Sequence, residues 1–298
     1  MNTESRKILD PEVVSRINSY ALKARLVVEG FMTGLHRSPY HGFSVEFAEH
    51  RPYMSGDSLK SIDWKVFAKS DRYFVKEYEE ETNLKAYLLL DTSRSMTFSS
   101  GTVSKLEYCK CLTAALAYLF IQQRDAVGLV CFNEKIEKFL RPRSVSLHLQ
   151  NILAELQNLS VGMSTKTGFA FHQLAEQIKR RGLVIILSDL FDDIDQIISG
   201  LKHFRHQQHE VLVFHVIDPY ETNFSFSKEA LFEDLESGQR LHIDPWLIKD
   251  DYARLFNRNL DRLRTECRNH QVDYVLLNTT DPYDKAFFAY LSKRLRLY

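Results

Sequence analysis

Three clusters of oxygen-bearing side chains stand where apolar runs of the sequence end. The run 86–90 passes straight into Asp91-Thr92-Ser93-Arg94-Ser95, so one carboxylate and two hydroxyls at alternating positions leave it together. The run 183–187 ends in Ser188-Asp189, and the loop 161–168 offers Thr165 and Thr167 ahead of a helical pattern. Hydroxyls and carboxylates are hard donors. They suit a divalent cation such as Mg²⁺ or Mn²⁺, which keeps several waters and takes few protein groups. A zinc site would want His or Cys. An Asp that ends a strand also serves as a turn former, and Ser or Thr before a helix often caps it. Each cluster alone therefore reads equally well as structural, and only their joint occurrence points to an ion site.

The elements that must position these residues follow from periodicity. From residue 84 onward, short apolar runs alternate with amphipathic stretches, the pattern of a parallel sheet with helices on both faces. Strands are expected at 86–91, 126–132, 183–188, 211–217 and 273–277, with 136–140 as an edge hairpin partner. Helices are expected at 105–123, 147–159, 170–179, 194–204, 246–267 and 285–295. The segment 232–243 reads as a hairpin turning at Ser237-Gly238, part of an insertion near 230–244. In open sheets of this kind, ligands collect outside the carboxyl ends of the strands, where Asp91 and Asp189 fall.

Residues 1–83 differ. Asp10 as N-cap and Pro11 at the first helical position open a helix predicted over 11–31. After Gly34 the pattern turns short and polar-interrupted, which predicts a small β-rich module ending near the charged stretch 79–83. The chain thus divides into residues 1–83 and an α/β domain at 84–298.

Composition bounds the function. The 298 residues carry 39 Lys+Arg against 39 Asp+Glu, and 44% are hydrophobic. Zero net charge argues against a protein that binds nucleic acid mainly by neutralising phosphates, although a local basic patch stays open. No apolar run approaches the roughly 18 residues that span a bilayer, and the first residues lack a hydrophobic targeting core, which predicts a cytoplasmic protein without membrane insertion. Cys109, Cys111, Cys131 and Cys267 are scattered and read as reduced packing residues. His203, His206 and His209 recur every three residues and read as a solvated helix patch, and Arg180-Arg181 as a helix-end dipole contact.

The order Asp91-x-Ser93-x-Ser95-Met96, then Thr165, then Asp189 after an apolar strand resembles the metal-ion-dependent adhesion site of von Willebrand factor A domains. Arg37-Ser38, Gly42-x-Ser44-x-Glu46-Phe47, Arg51-x-Tyr53, Gly56-Asp57, Ile62-Asp63-Trp64 and the later Phe232-x-Asp234-x-Glu236-x-Gly238 resemble the signature of the bacterial family catalogued as domain of unknown function 58. The resemblance covers nearly the whole chain. It implies a Rossmann-like von Willebrand A domain in which Ser93, Ser95 and Thr165 would hold the ion, with Asp91 and Asp189 acting directly or through water. Thr167 remains the alternative to Thr165. The resemblance further implies a MoxR-type AAA+ ATPase as partner, and a protein carboxylate completing the ion's coordination. Two departures stand out: Ser164 precedes Thr165, and Leu190 follows Asp189, where the family commonly has Gly.

An enzyme of the haloacid-dehalogenase type would also place an Asp nucleophile at the end of such a strand, with Asp189, Asp192 and Asp193 near the metal. That chemistry wants a second Asp two residues on as general acid, and this chain has Ser93 there. No phosphate-binding Gly-x-x-x-x-Gly-Lys loop, Gly-x-Ser-x-Gly or His-Glu-x-x-His is present. The expectation is a non-enzymatic interaction protein.

Overall fold

Aliphatic and β-branched runs too short for helices become the strands of one six-stranded sheet, and the side-chain alternation along each strand divides the interior into two cores. The computed structural model describes residues 9–36, 51–52, 74–75, 84–162, 167–224, 230–233, 240–243 and 245–294. Strands β3 (Lys85–Asp91), β4 (Ala126–Phe132), β5 (Ile136–Arg143), β6 (Leu183–Ser188), β7 (Glu210–Ile217) and β10 (Asp273–Asn278) lie in the order β10-β7-β6-β3-β4-β5. All neighbours run parallel except β4 and β5. The fold is thus a Rossmann-like α/β arrangement, as the periodicity predicts. Strand β4 goes to one side of β3 and β6 to the other, so the strand order reverses between β3 and β6, where such sheets open a crevice.

On one face, Ala86, Leu88 and Leu90 pack with Leu129, Ile185 and Phe214 beneath helices α1 (Pro11–Ser15), α2 (Tyr20–His36), α3 (Lys105–Gln122), α4 (Ser146–Gln157) and α9 (Asp284–Arg294). On the other, Tyr87 and Leu89 pack with Val130, Ile186 and Val213 beneath α5 (Thr167–Gln177), α6 (Ile194–His206) and α8 (Pro245–Asn269). Helices α5 and α6 approach closely because Gly200 faces Phe171: a Cβ there would stand 2.5 Å from the Phe171 Cβ. The remaining described elements are β1 (Arg51–Pro52), β2 (Phe74–Val75), the short α7 (Pro219–Asn223), β8 (Ala230–Glu233) and β9 (Arg240–Ile243).

Several expectations need correction. The helix predicted over 11–31 is two helices. Ser19 starts the second, with its hydroxyl facing the Leu22 amide and its carbonyl accepting from Lys23, so the chain turns at 16–19. Both helices join the main core, where Phe31 stacks on Phe287 with ring centroids 5.0 Å apart. Of the β-rich module, only the antiparallel pair Arg51↔Val75 and Pro52↔Phe74 falls inside the described residues. Gly56-Asp57 and Ile62-Asp63-Trp64 lie outside them. Strands β8 and β9 form the expected hairpin, and the expected Ser237-Gly238 turn lies outside the described residues. The three histidines do not share a solvated patch: His209 is buried with Nε2 2.9 Å from the Ile178 carbonyl, while His203 meets His172 at 3.2 Å. Helix α5 ends at Gln177, so Arg180 and Arg181 lie beyond its last turn. All four cysteines are buried and free, and burial pushes the thiols of Cys111, Cys131 and Cys267 up to about 12. Among the described residues, no helix is long and apolar enough to cross a membrane.

Candidate functional site at the strand-order switch

Strand β3 delivers Asp91 and β6 delivers Ser188-Asp189 on either side of the reversal in strand order. The loop after Asp91 folds back on it. The Ser93 amide donates to Asp91 Oδ1 at 2.9 Å, and the following turn of 3-10 helix, Arg94–Thr97, carries Ser95 inward until its hydroxyl lies 3.0 Å from that of Ser93. Ser188 Oγ donates to Asp91 Oδ2 at 2.5 Å. Thr92 faces away and fixes the loop, donating through its hydroxyl to the Phe132 carbonyl at 2.9 Å. Asp91, Ser93, Ser95 and Asp189 are therefore brought together, and all four are buried. Thr165 lies outside the described residues. Thr167 opens α5, whose Gly168 amide donates to Asp192 at 3.1 Å and so ties this helix to the loop that follows Asp189.

The centre of charge here is a residue that motif reading passes over. Lys105, only 1% exposed, donates to Asp189 Oδ2 at 2.8 Å and to Glu221 Oε1 at 2.5 Å. Glu221 belongs to α7, capped by Asp218 at the end of β7, and its other oxygen accepts from the Asp218 amide at 2.7 Å. Asp218 in turn accepts from the Ser100 amide at 2.9 Å. The network thus links the ends of three adjacent strands.

Residues 49–262 match the family described as "Protein of unknown function DUF58". The chain belongs to that family. Uncharacterized proteins of Mycobacterium bovis and Mycobacterium tuberculosis are each 26% identical over 250 residues, covering 82% of this chain and 78% of their own length. Among solved structures, the conserved hypothetical protein BatB from Bacteroides thetaiotaomicron matches with a TM-score of 0.47 at 16% identity, over 72% of this chain and 99% of its own. An aerotolerance-related membrane protein from Bacteroides fragilis matches with a TM-score of 0.49 at the same identity and coverage.

In this DUF58 protein the two carboxylates at the switch point differ in charge state. Burial pushes the Asp91 carboxyl up to about 7, the Asp189 charge adds to that, and the Ser188 and Ser93 hydrogen bonds oppose it. Burial would also raise Asp189, but the Lys105 charge and hydrogen bond, with further bonds from Ser95 and the Phe191 amide, hold it below the usual carboxylate range. Burial raises Glu221 despite Lys105. Burial also lowers His215, behind Asp189, to about 4, so it is neutral. Asp189 and Glu221 thus share the Lys105 ammonium, while burial and the Asp189 charge favour the protonated form of Asp91 beside them.

The donor set fits Mg²⁺ or Mn²⁺ better than zinc. The 3.0 Å between the Ser93 and Ser95 hydroxyls matches the edge of an octahedron with bonds of about 2.1 Å. Among the described residues, no group of three or more His, Cys, Asp or Glu side chains could hold a metal, so an ion here would rest on hydroxyls and water as well as carboxylate. Leu190, where the resemblance leads one to expect Gly, adopts a left-handed backbone with φ of 49°, the conformation for which Gly is favoured. The side chain is nonetheless buried in the core beneath α5 and α6. The sequence carried one signal for Lys105. A lysine in the first turn of a helix opposes the helix dipole, which a buried anion must offset.

Proposed function

We propose that this protein is a non-enzymatic interaction module of the von Willebrand A type whose ion site captures a protein carboxylate. Ser93 and Ser95, with Thr165 or Thr167, would hold Mg²⁺ or Mn²⁺, and Asp91 and Asp189 would act directly or through water. The ion supplies a coordination position that a partner's Asp or Glu can fill. Its partner in this reading is a MoxR-type AAA+ ATPase, acting with it in assembling or remodelling protein complexes in the cytoplasm, with no role for nucleic acid or membrane insertion.

The observation that carries this reading is the convergence of Asp91, Ser93, Ser95 and Asp189 at the strand-order switch, with more carboxylates than cations around them. A docking rim adds support. Phe191, two residues beyond Asp189, is 69% exposed, and Phe169, next to the Gly168 that bonds Asp192, is 58% exposed. Large apolar side chains left in water beside a polar centre favour a protein partner. The phosphotransferase alternative is less well supported. Asp91 is fully buried with both carboxylate oxygens engaged, and Ser93 stands where the general acid would be needed.

The test is a titration of Mn²⁺ and Mg²⁺ into chelator-stripped protein, read by calorimetry and thermal shift, with Asp91→Ala and Asp189→Ala alongside. The expected result is one-site binding lost in both variants, together with capture of the AAA+ partner that EDTA abolishes. Capture indifferent to both EDTA and Asp91→Ala would overturn the reading.

A further inference from the structure

A second candidate surface lies at the opposite end of β3, on the face that α5 and α6 cover only in part. A groove of about 900 Å³ runs between α5 and the edge strand β5. Its floor is apolar: Tyr87 from β3 and Ile136, Phe139 and Pro142 from β5. Ile136 and Phe139, on the edge strand, pack against the core beneath α5 and α6 yet stay half-buried. The opposite face of the same strands is covered, with Leu140 in the core beneath α3 and α4 and Lys138 paired to Glu155 of α4 at 2.9 Å.

The rim is charged, and one-sidedly so. Lys85, Arg141, Lys179 and Arg180 line the groove together with a single carboxylate, Glu176. None of the four cations has an ion-pair partner among the described residues. Elsewhere on the surface cations do pair, as Arg262 does with Asp195 and Lys285 with Asp281. Four cations without an ion pair among the described residues, around an apolar floor in a protein of zero net charge, are a local concentration of positive potential, which selects an anionic partner and speeds its encounter.

We propose that this groove is a docking site for an acidic amphipathic helix of a partner protein, seated between α5 and β5. A helix is about 10 Å across, the spacing at which helices pack on a neighbouring layer. Its apolar stripe would lie on Phe139, Ile136 and Pro142, and its carboxylates would face Lys85, Arg141, Lys179 and Arg180. The floor argues for protein over nucleic acid. Of its two aromatic rings, Tyr87 is 6% exposed and Phe139 half-buried, so the floor offers little of the base stacking on which single-strand binding relies. This docking is independent of the ion site, which lies at the other end of β3.

The probe is a fluorescein-labelled synthetic helix of about 18 residues, five turns, with Leu at helical spacing and Glu elsewhere, titrated into the full chain by anisotropy. Lys179→Glu/Arg180→Glu and Phe139→Ser should each weaken binding at least tenfold, and a Gln-for-Glu version of the peptide should bind at least tenfold more weakly. Lys179→Gln/Arg180→Gln, which only removes charge, repeats the measurement should the reversal disturb folding, with a smaller loss expected. Three results would overturn the proposal. One is peptide affinity unchanged in the variants. Another is an oligo-dT strand that binds more tightly than the peptide and loses affinity in the same variants. The third concerns the chain's own acidic run, Glu77, Glu79, Glu80 and Glu81, which precedes β3 in sequence. If changing all four to Gln tightens peptide binding tenfold or more, the occupant is this chain itself.

Discussion

At the carboxyl ends of β3 and β6, buried Asp189 shares the Lys105 ammonium with half-buried Glu221 beside buried Asp91, while the groove beside β5 is lined by four cations and one carboxylate. The excess charge is opposite in sign. Its energetic weight differs because a charge in the interior has lost its hydration and must be answered by neighbours, whereas a charge at the surface is answered by water and salt. The buried centre is accordingly wired to three strand ends and holds two of its three carboxylates on Lys105. The groove's cations form no ion pair among the described residues. One region uses charge to fix the fold around a site, and the other leaves charge free for something that comes from outside.

The largest effect that separates the two is expected at Lys105. Lys105→Met removes the one ammonium that pairs with Asp189 and Glu221 among the described residues and leaves the buried Asp189 without it. Breaking a buried pair from one side costs about 3–5 kcal/mol, so the urea midpoint should fall sharply, with the slope of the transition unchanged. A loss under about 1 kcal/mol, the range of exposed pairs, would place Lys105 with the surface cations and dissolve the comparison.

How much of this was legible in the sequence divides along the same line. The strands were legible because uninterrupted runs such as Leu183-Val184-Ile185-Ile186-Leu187 can only be doubly buried, and Asp91 and Asp189 were legible because they end such runs. Their partners were not. Lys105 lies 84 residues from Asp189 and 116 from Glu221, and no local period records a contact made through strand order. The break at 16–19 was missed because Val14, Ile17, Leu22 and Leu26 keep a near-helical spacing across it. The groove was equally hidden, since only the sheet order makes β5 an edge.

The next effect concerns protons. Asp91 is raised from 3.8 to about 7, so between those values the folded state holds a proton that the unfolded chain has released. Its contribution is full below 3.8 and is lost as pH rises through 7. His215 acts in the opposite sense: lowered from 6.5 to about 4, it makes the folded state less stable as pH falls through that window. The two oppose each other, and the wild type should respond to pH less than either group alone implies. Asp91→Asn, measured by urea unfolding in EDTA, should therefore gain on the wild type as pH rises from about 4 to 7, at up to about 1.4 kcal/mol per pH unit. A difference independent of pH would mean that Asp91 stays ionised throughout, and that the centre already holds enough positive charge.

The smallest effect is at the groove, and its smallness is the point. Lys179 and Arg180 are exposed and lack partners among the described residues, so neutralising both as Lys179→Gln/Arg180→Gln breaks no ion pair there. Removing cations from a patch that repels itself should leave stability within about 0.5 kcal/mol of the wild type, as for surface substitutions generally, or raise it slightly. The same variant should bind the acidic helix measurably less well, and the loss should shrink as salt rises and screens the attraction. A residue pair that costs the fold nothing yet shapes binding is a recognition surface. If the pair instead destabilised the protein by more than about 1 kcal/mol, its charge would be serving the fold, and the contrast with Lys105 would be one of degree only.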